Sequence, residues 1–249
     1  MPGNFVTKTV TPAAGYYGKI LSHGDFVSRH LPHYFIDVWD QWLQASIRRG
    51  EELLSEEWLD CYLRAPIWRF ALGPGVIGDT AWFGVLMPSV DKVGRHFPFT
   101  IAMAVPPASS LNETLALCDR WFVRVEALAL STLEREFDQE LFANELQNVP
   151  LPIWEQPRRI RTFLERGVKP PSGMVWLLKT DSEGSNAPLF QVTFPIWSNF
   201  NFAGHSLWSS SGTDDIYPAL AMSAALPSRD YFPALIKGRW EQFGWRVER

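Results

Sequence analysis

Cysteine is almost missing from this chain. Of 249 residues only Cys61 and Cys118 are cysteines, far apart and without a C-x-x-C pair or a Cys/His ligand spacing. That excludes a disulfide framework and a thiolate zinc site, and it fits a reduced cell interior. Long apolar runs are lacking too: the longest, such as Ala219–Leu226, fall far short of the roughly 18 residues that span a bilayer. No export signal is visible, because Met1–Lys19 has no apolar h-region. A basic excess is also absent. The chain carries 23 Lys plus Arg against 27 Asp plus Glu, a formal net charge of −4, with an isoelectric point near 5.8. Proteins that wrap nucleic acid usually exceed a domain value of about 9. These absences predict a cytoplasmic protein with no membrane insertion and no nucleic-acid partner.

Aromatic residues, by contrast, are abundant. The chain is 46% hydrophobic, which excludes intrinsic disorder, and 12 Trp, 17 Phe and 6 Tyr make it 14% aromatic. Such side chains dominate both cores and interfaces, and the core is the default reading. The length suits one large domain or two of about 125 residues, each able to bury a sizeable core.

Leu31, Phe35, Val38, Trp39, Trp42, Leu43 and Ile47 recur at three- and four-residue steps and predict an amphipathic helix over Leu31–Leu54, with Pro32 in its first turn. Ser55 is placed to cap a second short helix, Glu56–Leu63, which Pro66 stops. Strand-like runs follow at Trp68–Leu72, Trp82–Met87 and Phe99–Val105. Ser110-Leu-Asn-Glu113 has the form of a capping box and opens the longest helical stretch, through Leu146, with a break near Asp138. Beyond the Pro-bearing segment Asn148–Pro157, the pattern predicts a short helix at Arg158–Arg166 and strands at Met174–Lys179, Leu189–Phe194 and His205–Ser209. A polar loop is expected at Thr180–Pro188 and a last helix over Arg229–Trp240. Strands grouped around a helical block predict an α+β fold: a mainly antiparallel sheet flanked by helices on its faces, in a single compact domain over 1–249, with 1–14 a flexible extension.

Gly73-Pro-Gly75-Val-Ile-Gly78 spells G-x-G-x-x-G, but a strand rather than a helix follows, so no helix N-terminus faces a pyrophosphate and the plainer reading is a turn. Gly204-His-Ser206-Leu-Trp208 narrowly misses the nucleophile elbow G-x-S-x-G; a serine hydrolase built on Ser206 is the rival class, against a strand with an exposed serine edge. His30-Leu-Pro-His33 is the only close histidine pair, and it lacks an acidic ligand at a suitable spacing. No cofactor and no metal is expected. Two clusters join glycine, fixed charge and aromatics more densely than turns require. One is Gly15-Tyr-Tyr-Gly18-Lys19 with Ser22-His-Gly24-Asp25-Phe26 and Arg29; the other is Pro88-Ser-Val-Asp91 with Gly94-Arg95-His-Phe-Pro98. They read either as Gly-mediated loops whose Asp side chains bond their own backbone, or as a binding surface. Neither pairs a nucleophile with an evident base, so catalysis is not favoured.

These clusters, with Ala65-Pro-Ile-Trp68-Arg69-Phe70 and Met87-Pro-Ser-Val-Asp91-Lys-Val-Gly94-Arg95-His-Phe-Pro98, resemble the TagF (ImpM) family of type VI secretion-associated proteins. The resemblance is strong over Gly15–Val105 and looser at Ser206–Trp208 and Leu226–Phe232; Leu21 and Ser209 depart from the usual pattern. It implies a sheet flanked by helices and a cytoplasmic, non-enzymatic accessory protein that represses type VI secretion after translation by engaging the forkhead-associated scaffold protein Fha. The alternative non-enzyme is a structural assembly subunit. Candidate partner-binding residues are Gly18, Lys19, Ser22, Gly24, Asp25, Phe26, Arg29, Trp68, Arg69, Asp91, Gly94 and Arg95.

Overall fold

The computed structural model describes residues 13–105, 111, 118–150, 173–177 and 202–248. Among the described residues nine strands form one sheet: β1 (Gly15–Gly18), β2 (Val27–Arg29), β3 (Trp68–Leu72), β4 (Trp82–Met87), β5 (Phe99–Ala104), β6 (Met174–Leu177), β7 (His205–Ser210), β8 (Ala219–Ala224) and β9 (Arg246–Glu248). Their order is β2-β1-β5-β4-β3-β7-β8-β6-β9. Every described pairing is antiparallel except β6 with β9. The α+β expectation therefore holds, with helices on both faces.

Alternation along the strands sorts two cores. On one face Tyr17, Phe70, Leu72, Trp82, Leu86 and Trp208 meet helix α1 (His33–Leu54), α2 (Trp58–Leu63) and a later helix at Phe232–Lys237. On the other, Tyr16, Ala71, Phe83, Val85, Ile101 and Met103 meet α3 (Asp119–Ser131) and α4 (Gln139–Gln147). The helix at Phe232–Lys237 is α5. β4 is buried along its whole length because both its faces are covered. The aromatic surplus belongs to these cores: Trp39 of α1 lies 4.8 Å from Phe70 and stacks on Trp208 at 6.1 Å, and its indole N–H donates to the Thr100 hydroxyl at 2.8 Å.

Several expectations shift at element ends. Pro32 sits one residue ahead of α1, where its carbonyl accepts from the Phe35 and Ile36 N–H groups. Ser55 makes no side-chain cap; its N–H closes α1 onto the Glu51 carbonyl, and a 3₁₀ turn at Ser55–Glu57 leads into α2. The break in the long helical stretch starts earlier than expected, with α3 ending at Ser131, and Asp138 opens α4, its carboxylate accepting from the Glu140 and Leu141 N–H groups. α5 is shorter than Arg229–Trp240, because Gly238 takes a left-handed φ of 70° and ends it, and a 3₁₀ turn follows at Trp240–Phe243. Gly15–Gly18 is a strand rather than a loop: its two tyrosines point to opposite cores. The capping box at Ser110, the helix at Arg158–Arg166, the loop at Thr180–Pro188 and the strand at Leu189–Phe194 lie outside the described residues.

Candidate functional site

The two glycine-rich clusters meet at one end of the sheet. β1 ends at Gly18, whose φ is +141° and where an added Cβ would stand 2.2 Å from the Pro98 carbonyl oxygen; only glycine lets the chain pass this close to the start of β5. Lys19 follows and points inward. Between β4 and β5 the chain makes a small hairpin: Phe97 N–H bonds the Ser89 carbonyl at 3.1 Å, Val90 bridges His96, and Asp91 N–H bonds the Arg95 carbonyl at 3.0 Å. The three-residue tip, Lys92-Val93-Gly94, closes with Gly94 N–H to the Asp91 carbonyl at 2.9 Å and Gly94 at φ +84°. This is the type I turn plus left-handed residue that three-residue hairpin loops favour.

Asp91 organises the junction. It is 1% exposed. One carboxylate oxygen accepts from the Val93 N–H at 3.0 Å and the Arg95 N–H at 2.9 Å, and the other from the Lys19 ammonium at 3.0 Å and Arg95 Nε at 2.7 Å. Four donors fill the acceptor capacity of a carboxylate. Burial opposes its ionisation, but the bonds from the Arg95 N–H, Lys19, the Arg95 guanidinium and the Val93 N–H outweigh that and hold the group well below the usual carboxylate range. Lys19 is nearly as buried and lies over the Phe26 ring at 5.2 Å. The Lys92 N–H bonds the His23 carbonyl at 2.9 Å, and the Arg95 guanidinium reaches the Gly24 carbonyl, so the two loops are laced together.

Other predicted site residues fall elsewhere. Gly24 has open space around it and an ordinary φ. Asp25 is exposed and accepts from the Phe26 N–H at 2.8 Å, while the Ser22 hydroxyl pairs with His23 Nδ1 at 2.9 Å. Arg29, at the end of β2, pairs with Glu140 of α4 at 3.0 Å. Trp68 is buried under α5, donating to the Leu235 carbonyl at 2.8 Å. Arg69 lies on the opposite face under α3, held by Glu126 at 2.6 and 2.8 Å and Asp119 at 3.0 Å. Trp68 and Arg69 are thus adjacent in sequence but on opposite sheet faces, and neither joins the loop junction. The residues that sequence reasoning passed over are Lys92 and Val93. An apolar side chain between the Asp and Gly of a turn is the signal that marks them.

The rival site does not assemble. Ser206 sits on β7, inside the sheet rather than at an exposed edge; its hydroxyl is buried, donates to the Ala225 carbonyl at 2.5 Å and accepts from the Trp208 indole at 3.0 Å. The Gly73–Gly78 segment is a turn closed by Gly75 N–H to the Gly78 carbonyl at 2.7 Å, with β4 and no helix after it. Among the described residues no group of three or more His, Cys, Asp or Glu is placed to hold a metal, and no helix is long and apolar enough to cross a membrane. A cavity of about 610 Å³ lies near β9, lined by α2, α5 and the 3₁₀ turn after it. Ion pairs of Lys237 with Glu57 and of Arg64 with Asp60 and Asp215 tie up charges along its walls.

Residues 15–149 match the model of the TagF N-terminal domain, described as type VI secretion system-associated. Among solved structures the chain is similar to PA0076 from Pseudomonas aeruginosa PAO1, at 35% identity over 91% of this chain and 95% of that one, with a TM-score of 0.69. No curated protein matches. The matched segment runs from β1 through α4 and holds the whole loop junction, and on that match the chain belongs to the TagF N-terminal domain family of type VI secretion system-associated proteins.

Proposed function

We propose that this protein is a cytoplasmic negative regulator of type VI secretion that acts after translation by binding the forkhead-associated scaffold protein Fha. The family match over residues 15–149 carries the reading. The site geometry supports it: Lys19 and Asp91 are spent on holding two loops in register, and Ser206, the residue that a nucleophile elbow would use, is buried with its hydroxyl bonded to the Ala225 carbonyl and the Trp208 indole. Such an arrangement suits recognition rather than covalent chemistry. If secretion requires Fha assembled with other components, a protein that occupies free Fha lowers the competent population by mass action.

Deleting the gene and measuring secreted type VI substrate tests this. Secretion rises in the deletion, falls when the protein is overproduced, and purified Fha is retained on the immobilised chain. Loss of secretion in the deletion points instead to an assembly subunit, and failure to retain Fha removes the proposed partner.

A further inference from the structure

The tip that the buried charges hold has an exposure that folding does not require. Val93 is 70% exposed in the middle of the hairpin loop, where a polar residue would serve the turn equally well. Phe26 is 41% exposed on the neighbouring loop, which the bonds of Lys92 to His23 and of Arg95 to Gly24 tie to the hairpin, and its ring is fixed, stacked on Tyr17 at 5.5 Å and edge-on to Phe97 at 4.8 Å. Tyr17 is itself anchored by its hydroxyl to Asp40 at 2.6 Å. Around these two apolar groups stand Lys92 and Arg95, both exposed. At the hairpin Lys19 and Arg95 share the single carboxylate of Asp91 and Lys92 adds a third, exposed cation, so this stretch carries surplus positive charge on a chain whose formal net charge is −4. Asp25 at the rim offsets only part of it.

We propose that Phe26, Lys92, Val93 and Arg95 form a preorganised knob that docks an acidic segment of a protein partner. Val93 and the Phe26 edge enter a small apolar depression, and the two cations meet carboxylates around its rim. This rests on the functional reading above, with Fha as that partner. The loop is ordered before binding because Asp91 takes two backbone N–H groups of the tip, and a surface already ordered loses little entropy on association. Central apolar anchors ringed by charge are where interface energy concentrates, and the charges act mainly on the association rate and its salt dependence. The residues fixing the knob, Lys19 and Asp91, are positioning residues and never touch the partner.

The test uses the full chain and purified Fha, with affinity measured at low and at physiological ionic strength and thermal melting recorded for each variant. Val93→Asp weakens binding about tenfold or more and Lys92→Glu several-fold with a shallower salt dependence, both with unchanged melting. Leu130→Asp, on the exposed side of α3, binds as the parent does, and Val93→Ala gives a milder loss that confirms the effect is not a folding defect. Parent-like binding by both Val93→Asp and Lys92→Glu overturns the knob and leaves the Fha reading standing. A parent chain that does not bind Fha overturns both. Self-association that requires Val93 assigns the surface to a second copy of this chain and overturns the acidic partner.

Discussion

Replacing Asp91 by alanine removes one carboxylate and leaves four donors without an acceptor: the Lys19 ammonium, the Arg95 guanidinium, and the Val93 and Arg95 N–H groups. Arg95 is open to solvent and recovers water, but Lys19 is 7% exposed and keeps an uncompensated charge in the protein. Breaking a buried pair from one side costs about 3–5 kcal/mol. For a chain of this size each kcal/mol shifts the midpoint by about 2–4 °C, so melting at neutral pH falls by about 6–20 °C. Lys19→Met costs less, because Asp91 keeps Arg95 and two backbone donors. The double variant Lys19→Met/Asp91→Leu, which buries no lone charge, melts above Asp91→Ala. Acid titration gives a second readout. Asp91 is held below its ordinary value of about 4, so its contribution is present above that pH and is lost as pH falls towards the depressed native value. Asp91→Ala therefore loses stability less steeply below pH 4 than the parent. A variant melting within about 2 °C of the parent, with the same acid slope, refutes the reasoning.

Ser206→Ala leaves the Ala225 carbonyl and the Trp208 indole N–H without their partner inside the sheet; it costs about 1–3 kcal/mol in urea unfolding, and any background esterase signal of the preparation stays unchanged. Gly94→Ala puts a Cβ on a left-handed residue with open space around it, so it lowers stability by about 1 kcal/mol through backbone strain alone, seen as a small drop in melting midpoint. Burial pushes the hydroxyls of Tyr17 and Tyr62 above their ordinary range, with Asp40 adding to the shift at Tyr17. The stability tied to their neutral forms is complete below about pH 10 and declines as pH rises beyond it, so Tyr17→Phe flattens the alkaline limb of a pH–stability curve.

Much of the fold is legible because the chain states it locally. Trp68–Leu72 and Trp82–Met87 stand where the apolar runs put them, and a helix starts just after Asp138, though the one before it ends at Ser131. β1 and β2 are not legible for a physical reason: they are short, glycine-bearing and defined by their partners, with Gly18 needed for a neighbour that only the folded chain supplies. Arg69 is a site candidate in sequence because it belongs to the Ala65-Pro-Ile-Trp68-Arg69-Phe70 motif. Its explanation lies about 50 residues away, in Glu126 and Asp119 on α3, beyond the reach of any local pattern. The hairpin tip is the opposite case. Asp-Lys-Val-Gly-Arg is a complete local code for a three-residue loop, and the apolar residue in its centre is the anomaly within it.

The charges at the junction do something that apolar packing does not. A buried ion pair is a poor source of stability, and well-packed hydrophobic groups of similar volume often replace it at no loss. An apolar replacement for Asp91 accepts no hydrogen bonds, however, and the N–H groups of Val93 and Arg95 then depend on solvent alone to set the shape of the tip. Asp91 meets the tip backbone, the end of β1 through Lys19 and, through Arg95, the loop at Gly24. It therefore fixes how three chain segments sit relative to one another, and the surface those segments display inherits that geometry. In the proposed docking the buried pair, Lys19 and Asp91, acts through the shape it imposes, while Val93, Phe26 and the exposed cations Lys92 and Arg95 make the contact. For that reason restoring stability with Lys19→Met/Asp91→Leu does not restore docking at Val93, and the two properties separate in one double variant.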